Sequence, residues 1–211
     1  MIASLASMDD RQSAVAPGYA QRLEALEGKR WKRWLDVQAP YRWNVRRLCR
    51  GDVLDVGCGL GRNLDHLRGR AGSVAVGVDP NVACVETARS RGLLAFTPEE
   101  LDASEYGRPG RFDTLLVAHV LEHLDEATGD ALLREHLTRL RPGGIVVVFT
   151  PQEAGQRSDP THIRYVDQPA LAATARRLGL EPVLARSFPF PRAAGRAFRY
   201  NEHNAVWRRP A

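Results

Sequence analysis

From Gly51 onward the chain repeats one unit: a short apolar run, a turn, then a stretch long enough for a helix. The runs are D-V-L-D-V-G, S-V-A-V-G-V-D-P, G-L-L-A-F-T-P, R-F-D-T-L-L-V-A and G-G-I-V-V-V-F-T-P. Their Val, Leu and Ile residues fall at successive positions, so each strand needs cover on both faces. Helix-length connections return each strand in the same direction, which is the doubly wound α/β class with a mostly parallel sheet. After residue 165 the rhythm changes. A helix is predicted from Gln168 to Leu178, followed by the strands E-P-V-L-A-R-S-F and A-F-R-Y-N-E-H-N-A-V-W-R-R. No helix-length segment separates those two, so they pair antiparallel.

At 211 residues and 44% apolar content the chain suits one domain with a single core. Residues 1–18 read as a flexible leader ending in Pro17-Gly18, residues 19–48 as a helical cap broken at Pro40, and residues 49–211 as the main domain. The cap carries Trp31, Trp34, Tyr41 and Trp43 among many basic residues. That aromatic stripe packs on the core, or forms a lid over a ligand, or meets a membrane surface or RNA. No apolar run reaches the roughly 18–20 residues needed to span a bilayer, and the first residues lack the pattern of a secretory signal. Cys49, Cys58 and Cys84 form no C-x-x-C pair, so a reduced, cytoplasmic compartment is expected. The net charge of +5 invites a nucleic-acid partner. Nearly all of the cations are arginine, however, with lysine only at Lys29 and Lys32. That skew fits a GC-rich coding sequence better than a polyanion-binding surface.

V-L-D-V-G-C-G-L-G-R-N spans Val53 to Asn63. Asp55 ends a strand, Gly57, Gly59 and Gly61 make a turn, and Arg62 and Asn63 open the next helix. Glycines allow left-handed turns and let a ligand approach the main chain. The spacing is G-x-G-x-G, with Arg62 where a dinucleotide fingerprint has its third glycine, so a pyrophosphate cradle is not the best fit. Asp79, in V-G-V-D-P-N, ends the next strand 22 residues beyond Gly57. An acid near that offset can accept hydrogen bonds from ribose hydroxyls. It can also cap the helix that begins near Pro80.

F-D-T-L-L-V-A-H-V-L-E-H-L-D contains His119, Glu122 and His123 at i, i+3 and i+4, a spacing that can converge on one helix face. It also matches the H-x-x-E-H pattern of inverted zinc proteases, which requires a different scaffold.

Taken in order, D-V-G-C-G-L-G, V-G-V-D-P-N, F-D-T-L-L-V-A-H-V-L-E-H-L-D and L-R-P-G-G-I-V-V-V-F-T-P resemble the glycine, ribose-acid, fourth-strand and fifth-strand motifs of class I S-adenosylmethionine-dependent methyltransferases. The resemblance covers residues 51 to 151 closely and the tail to Arg208 more loosely. It implies a seven-stranded Rossmann-like sheet whose last strand is antiparallel, under an N-terminal helical cap. It places S-adenosyl-L-methionine along Asp55, Gly57, Cys58, Gly59, Asp79, Pro80, Thr97, Pro98, Glu99 and Ala118. One departure stands out: T-P-E-E-L puts Thr97 where the family commonly has an adenine-binding acid, and Pro98 has no N–H to offer. Glu99 is the replacement expected there.

Methyl transfer is expected beyond the fourth strand, on a small-molecule acceptor and at oxygen. His119 and His162 are the expected catalytic residues, since an imidazole can take a hydroxyl proton near neutrality. Some family members carry E-x-x-E-H here with a later histidine and hold a divalent metal. Glu122, His123 and the downstream His162 match those offsets, while His119 replaces the first glutamate, which weakens a magnesium site and favours zinc, iron or manganese. Structural bracing of the following helix is the plain reading of the same residues. Arg164, Tyr165, Tyr200 and His203 are further candidates, or ordinary polar decoration. Two rival functions stay open: RNA 2′-O-methylation, and a non-catalytic partner that keeps the fold to bind a cofactor or protein.

Overall fold

The computed structural model describes residues 39–211. Helix α1 (Ala39–Leu48) leads into β1 (Val53–Val56), α2 (Arg62–Leu67), β2 (Ala75–Val78), α3 (Val82–Ser90), β3 (Leu94–Phe96), α4 (Pro98–Ala103) and β4 (Phe112–Ala118). Then come α5 (Glu126–Leu137), β5 (Leu140–Pro151), the short α6 (Glu153–Gln156), α7 (Gln168–Arg177), β6 (Glu181–Phe188) and β7 (Glu202–Arg208). The sheet order is β3-β2-β1-β4-β5-β7-β6. Strands β1 to β5 run parallel, and β7 is antiparallel to both β5 and β6. The parallel five-strand body and the reversed last strand are those the sequence predicts.

The uninterrupted apolar runs are explained by cover on both faces. Leu54, Val56, Leu115, Val117, Val146 and Val148 pack with Leu101, Leu133 and Leu171, from α4, α5 and α7. The alternate residues Val53, Leu116, Ala118, Val147 and Phe149 pack with Val45 of α1 and Leu67 of α2. By the pleat, Asp55 stands in this second row. The helices start on side-chain caps: Asn81 accepts from Ala83 and Cys84, Asp125 from Thr128, and Asp167 from Ala170. Each such cap is worth about 1 kcal/mol.

Pro40 sits in the first turn of α1, where no N–H bond is owed, as suits a helix boundary at that position. One expectation is adjusted. The last strand is shorter than predicted, because residues 197–201 turn. Asn201 N donates to Phe198 O at 3.0 Å, and the buried Asn201 amide binds Phe190 N and Gln152 Oε1 at 2.9 Å each. The leader, Trp31, Trp34 and most of the cap lie outside the described residues.

From β1 the chain moves outward to β2 and β3, then returns to lay β4 on the other side of β1. The connections diverge there, at the carboxyl ends of β1 and β4, the switch point at which open α/β sheets form their ligand crevice.

Candidate active site

The turn after β1 is zipped onto β2 by main-chain bonds. Gly57 N and Cys58 N both donate to Val78 O, at 2.8 and 3.1 Å. Gly57 has φ 73°, and a Cβ there would lie 2.5 Å from Val120 Cγ2. Gly61 has φ 82° and touches Leu93 as closely, so the loop requires glycine at both positions. Cys58 turns its thiol inward, into space left by the missing side chain of Gly77, and offers only its main chain to the crevice. Asp79 accepts from Gly59 N at 2.8 Å and from Asn81 N at 2.9 Å, tying the loop to the start of α3. Burial nonetheless raises its pKa against those two bonds.

Asp55 is the anomaly of this end. It is buried, and neither carboxylate oxygen makes a well-formed hydrogen bond, the Asn63 amide being the polar group that bears on it. Burial pushes its pKa up to about 7, with the Asn63 amide and Arg62 pulling down and Asp79 adding to the rise. A buried carboxylate without a partner is costly unless a ligand brings one. At the end of β3, Thr97 forms a capping box with Glu100: its hydroxyl accepts from Glu100 N at 3.3 Å, and its N–H donates to Glu100 Oε2 at 2.9 Å. Pro98 occupies the first turn of α4 and Glu99 is exposed beside it.

At the end of β4 the sequence motif does not form the helix face it suggested. His119 adopts φ 59°, and Leu121–His123 is a single 3-10 turn before α5 begins at Glu126. A left-handed backbone at a non-glycine residue costs about 1–2 kcal/mol. It turns the His119 ring back between two acids, with Nδ1 3.2 Å from Glu122 Oε1 and Nε2 2.9 Å from Glu202 Oε1. Burial alone would lower its pKa; the two carboxylates outweigh it and lift the value to about 9. His119 therefore holds its proton at neutrality, which opposes the proton-accepting role expected of it.

The other residues of the motif gather elsewhere. One carboxylate oxygen of Glu122 and one ring nitrogen each of His123 and His162 lie within 4.8 Å of one another. Glu122 is fully buried and its Oε2 has no partner. His123 Nδ1 lies 3.1 Å from Thr161 O, and His162 Nδ1 3.1 Å from Gln156 O. Those contacts favour the Nδ1–H tautomers and leave Nε2 as the lone-pair nitrogen of each ring. The rings stand edge to face at 4.8 Å. Burial lowers the pKa of His123, with Glu122 opposing and His162 assisting, so the ring is held neutral.

Over residues 20–185 the chain matches the methyltransferase domain family. It belongs to the class I S-adenosylmethionine-dependent methyltransferases. A ubiquinone biosynthesis O-methyltransferase of Ralstonia nicotianae is 26% identical over 185 residues, 77% of this chain and 74% of that protein. The protein of the same name from Rhodopseudomonas palustris is 31% identical over 101 residues, 46% of this chain and only 39% of that protein. Among solved structures, a SAM dependent methyltransferase from Archaeoglobus fulgidus matches with TM-score 0.67 at 17% identity, covering 92% of this chain and 100% of that one. The 1,6-didemethyltoxoflavin-N1-methyltransferase of Burkholderia thailandensis, solved with 1,6-didemethyltoxoflavin and S-adenosylhomocysteine, matches with TM-score 0.60 at 19% identity, covering 100% and 94%. No helix among the described residues is long and apolar enough to cross a membrane.

The sequence-predicted residues fall into two groups. Asp55, Gly57, Cys58, Gly59, Asp79 and Pro80 line or support the β1–β2 end, and Ala118 ends β4 beside it. Glu122, His123 and His162 come together, and His119 stands apart from them as a neighbour of Glu122. Of the tail candidates, Tyr165 OH meets His203 Nε2 at 3.2 Å, Arg164 pairs with Glu126 at 3.6 Å, and Tyr200 offers its carbonyl to Tyr41 OH at 2.7 Å. Sequence reasoning missed Glu202. The signal was available: an antiparallel last strand brings its first residue to the carboxyl edge of the parallel ones. Glu202 accordingly pairs with Pro151 at the end of β5.

Proposed function

We propose that this enzyme methylates an oxygen of a small-molecule acceptor, and that Glu122, His123 and His162 hold a divalent ion beside it. The observation that carries this reading is the buried Glu122 carboxylate, gathered with two histidines and keeping one oxygen without a partner. A carboxylate and two imidazoles, each ring braced through its other nitrogen by a main-chain carbonyl, fit a metal centre with positions left for a ligand. When bound, such an ion supplies Lewis acidity that eases loss of a hydroxyl proton. The O-methyltransferase names of the relatives support oxygen as the acceptor atom, and the toxoflavin enzyme's name supports a small acceptor.

The other end of the crevice suits S-adenosylmethionine, which when bound supplies a methyl on a cationic sulfur. The orphaned Asp55 carboxylate suits a ligand ammonium. Gly57, Cys58 and Gly59 expose main chain, and Asp79 keeps lone pairs beyond the two it gives to Gly59 and Asn81. Pro80, Thr97, Pro98, Glu99 and Ala118 are assigned to the same ligand. The chain's contribution is alignment of the reacting groups in a crevice walled by buried strand ends. Of the two histidines expected to accept a proton, His119 has both ring nitrogens engaged by carboxylates, and His162 is assigned to the ion.

Asp79→Ala is expected to abolish S-adenosylhomocysteine binding in calorimetry while circular dichroism stays unchanged; undiminished affinity would sink the cofactor assignment. S-adenosylhomocysteine release, followed with phenols, alcohols and amines, tests the acceptor. Turnover confined to amines would refute oxygen methylation.

A further inference from the structure

His119 and Glu202 stand beside the three donors without joining them. His119 Nδ1 occupies Oε1 of Glu122, and its Nε2 is held by Glu202 Oε1. Glu122 is left with Oε2 alone. The arrangement is fixed from several sides. His119 is locked at φ 59° with its N–H bonded to Phe149 O at 3.0 Å. Glu202 is anchored at the start of β7, and its carbonyl accepts from the buried Gln152 amide at 2.9 Å. Glu122 itself is clamped by its carbonyl, which accepts from Ile163 N and Arg164 N at 3.0 and 3.2 Å.

We infer that His119 and Glu202 are positioning residues that hold Glu122 to a single coordinating oxygen, so that the centre selects a nitrogen-preferring transition ion over magnesium. This rests on the reading that Glu122, His123 and His162 bind an ion. Magnesium demands near-octahedral oxygen coordination, and one carboxylate oxygen with two imidazoles supplies little of it. The same three donors satisfy zinc-like ions, which accept two histidines and a carboxylate and keep a position open. A free Oε1 would let Glu122 bind through both oxygens and shift the site toward hard cations. His119 Nδ1, 3.2 Å from that oxygen, blocks it. Glu202 acts one step further back, because by taking Nε2 it keeps Nδ1 turned toward Glu122.

The test is a titration of the chelator-treated full chain with Co²⁺ and with Mg²⁺, read by calorimetry and by the visible absorption of the cobalt complex. The unaltered protein is expected to bind Co²⁺ with a ligand-field band and to bind Mg²⁺ about a hundredfold or more weakly. His119→Gly suits the left-handed backbone and frees Oε1. It is expected to shift the cobalt band as a second oxygen enters and to narrow the Co²⁺/Mg²⁺ preference about tenfold. Glu202→Gln leaves His119 in place and is expected to move both readings the same way by a smaller factor; it carries the test alone if the glycine variant does not fold. Equal affinity for the two ions, or a band and preference unchanged in the folded variants, overturns the inference while leaving metal binding intact. Failure of the unaltered protein to bind Co²⁺ removes the metal reading and this inference together.

Discussion

At the carboxyl ends of β1 and β2 the polar contacts are made largely by main chain, between residues close in sequence: Gly57, Cys58 and Gly59 offer N–H groups to Val78 and Asp79. At the carboxyl end of β4 they are made by side chains from distant segments. His119 meets Glu202 across 83 residues, and His123 meets Thr161 across 38. A backbone cradle depends on glycines and a strand register, so it can persist while most side chains change. A side-chain cluster is remade whenever one member changes, as His119 illustrates. The first end suits a cofactor common to a family, and the second suits chemistry that differs among its members.

The two ends meet where Gly57 packs against Val120, and breaking that contact is expected to give the largest effect. Gly57→Ala forces an L side chain to φ 73° and sets its Cβ 2.5 Å from Val120 Cγ2. Left-handed strain costs about 1–2 kcal/mol and overpacking about 1–3 kcal/mol, so a loss of roughly 2–5 kcal/mol is expected in urea denaturation. Adding Val120→Ala removes the clash and keeps the strain, so the double variant should recover about half. Full recovery would show that the backbone conformation is unimportant, and no recovery that the contact between the two ends is.

A smaller effect is expected at Asp55, where the cradle departs from its own rule and carries an unsatisfied side chain. Burial lifts its pKa from 3.8 to about 7 in the folded state. Between those values the unfolded chain has released a proton that the folded one still binds, so stability of the unliganded protein falls as pH rises through that window. Asp55→Asn should remove a decline on the order of 1–3 kcal/mol, leaving the variant more stable than the parent at pH 8 yet weaker in cofactor binding. Asp79, raised in the same direction, would leave a residual slope. Urea denaturation at pH 5 and pH 8 decides the matter: an undiminished slope in the variant would clear Asp55 of the cost.

The contrast between the two ends also explains what could be read from residues alone. The five parallel strands, the antiparallel pair and the glycine loop with Asp79 follow from local patterns, each complete within some twenty-five residues. The grouping of Glu122, His123 and His162 was legible only as offsets. Their convergence depends on the loop after β5, whose Thr161 and Gln156 carbonyls aim the two rings. The i, i+3 spacing of His119 and Glu122 implied a shared helix face, whereas a single left-handed residue produces their contact. Glu202 went unseen because nothing near it in sequence marks it; only strand polarity brings it to the site.

Thr97 offers the finest division between cradle and scaffold, and the smallest expected effect. It stands where the cofactor's adenine edge was expected, but its N–H and one lone pair of its hydroxyl are committed to the capping box with Glu100. Loss of the cap in Thr97→Ala should cost about 1 kcal/mol of stability, and Thr97→Ser should restore most of it. If capping is the whole role, S-adenosylhomocysteine affinity in the folded alanine variant should move by less than about twofold, well under the 1.4 kcal/mol of a tenfold change. A tenfold loss that serine rescues would mean that the hydroxyl reaches the cofactor as well. The β3 end would then combine a local motif with a side-chain contact, and the division between main-chain and side-chain ends would fail there first.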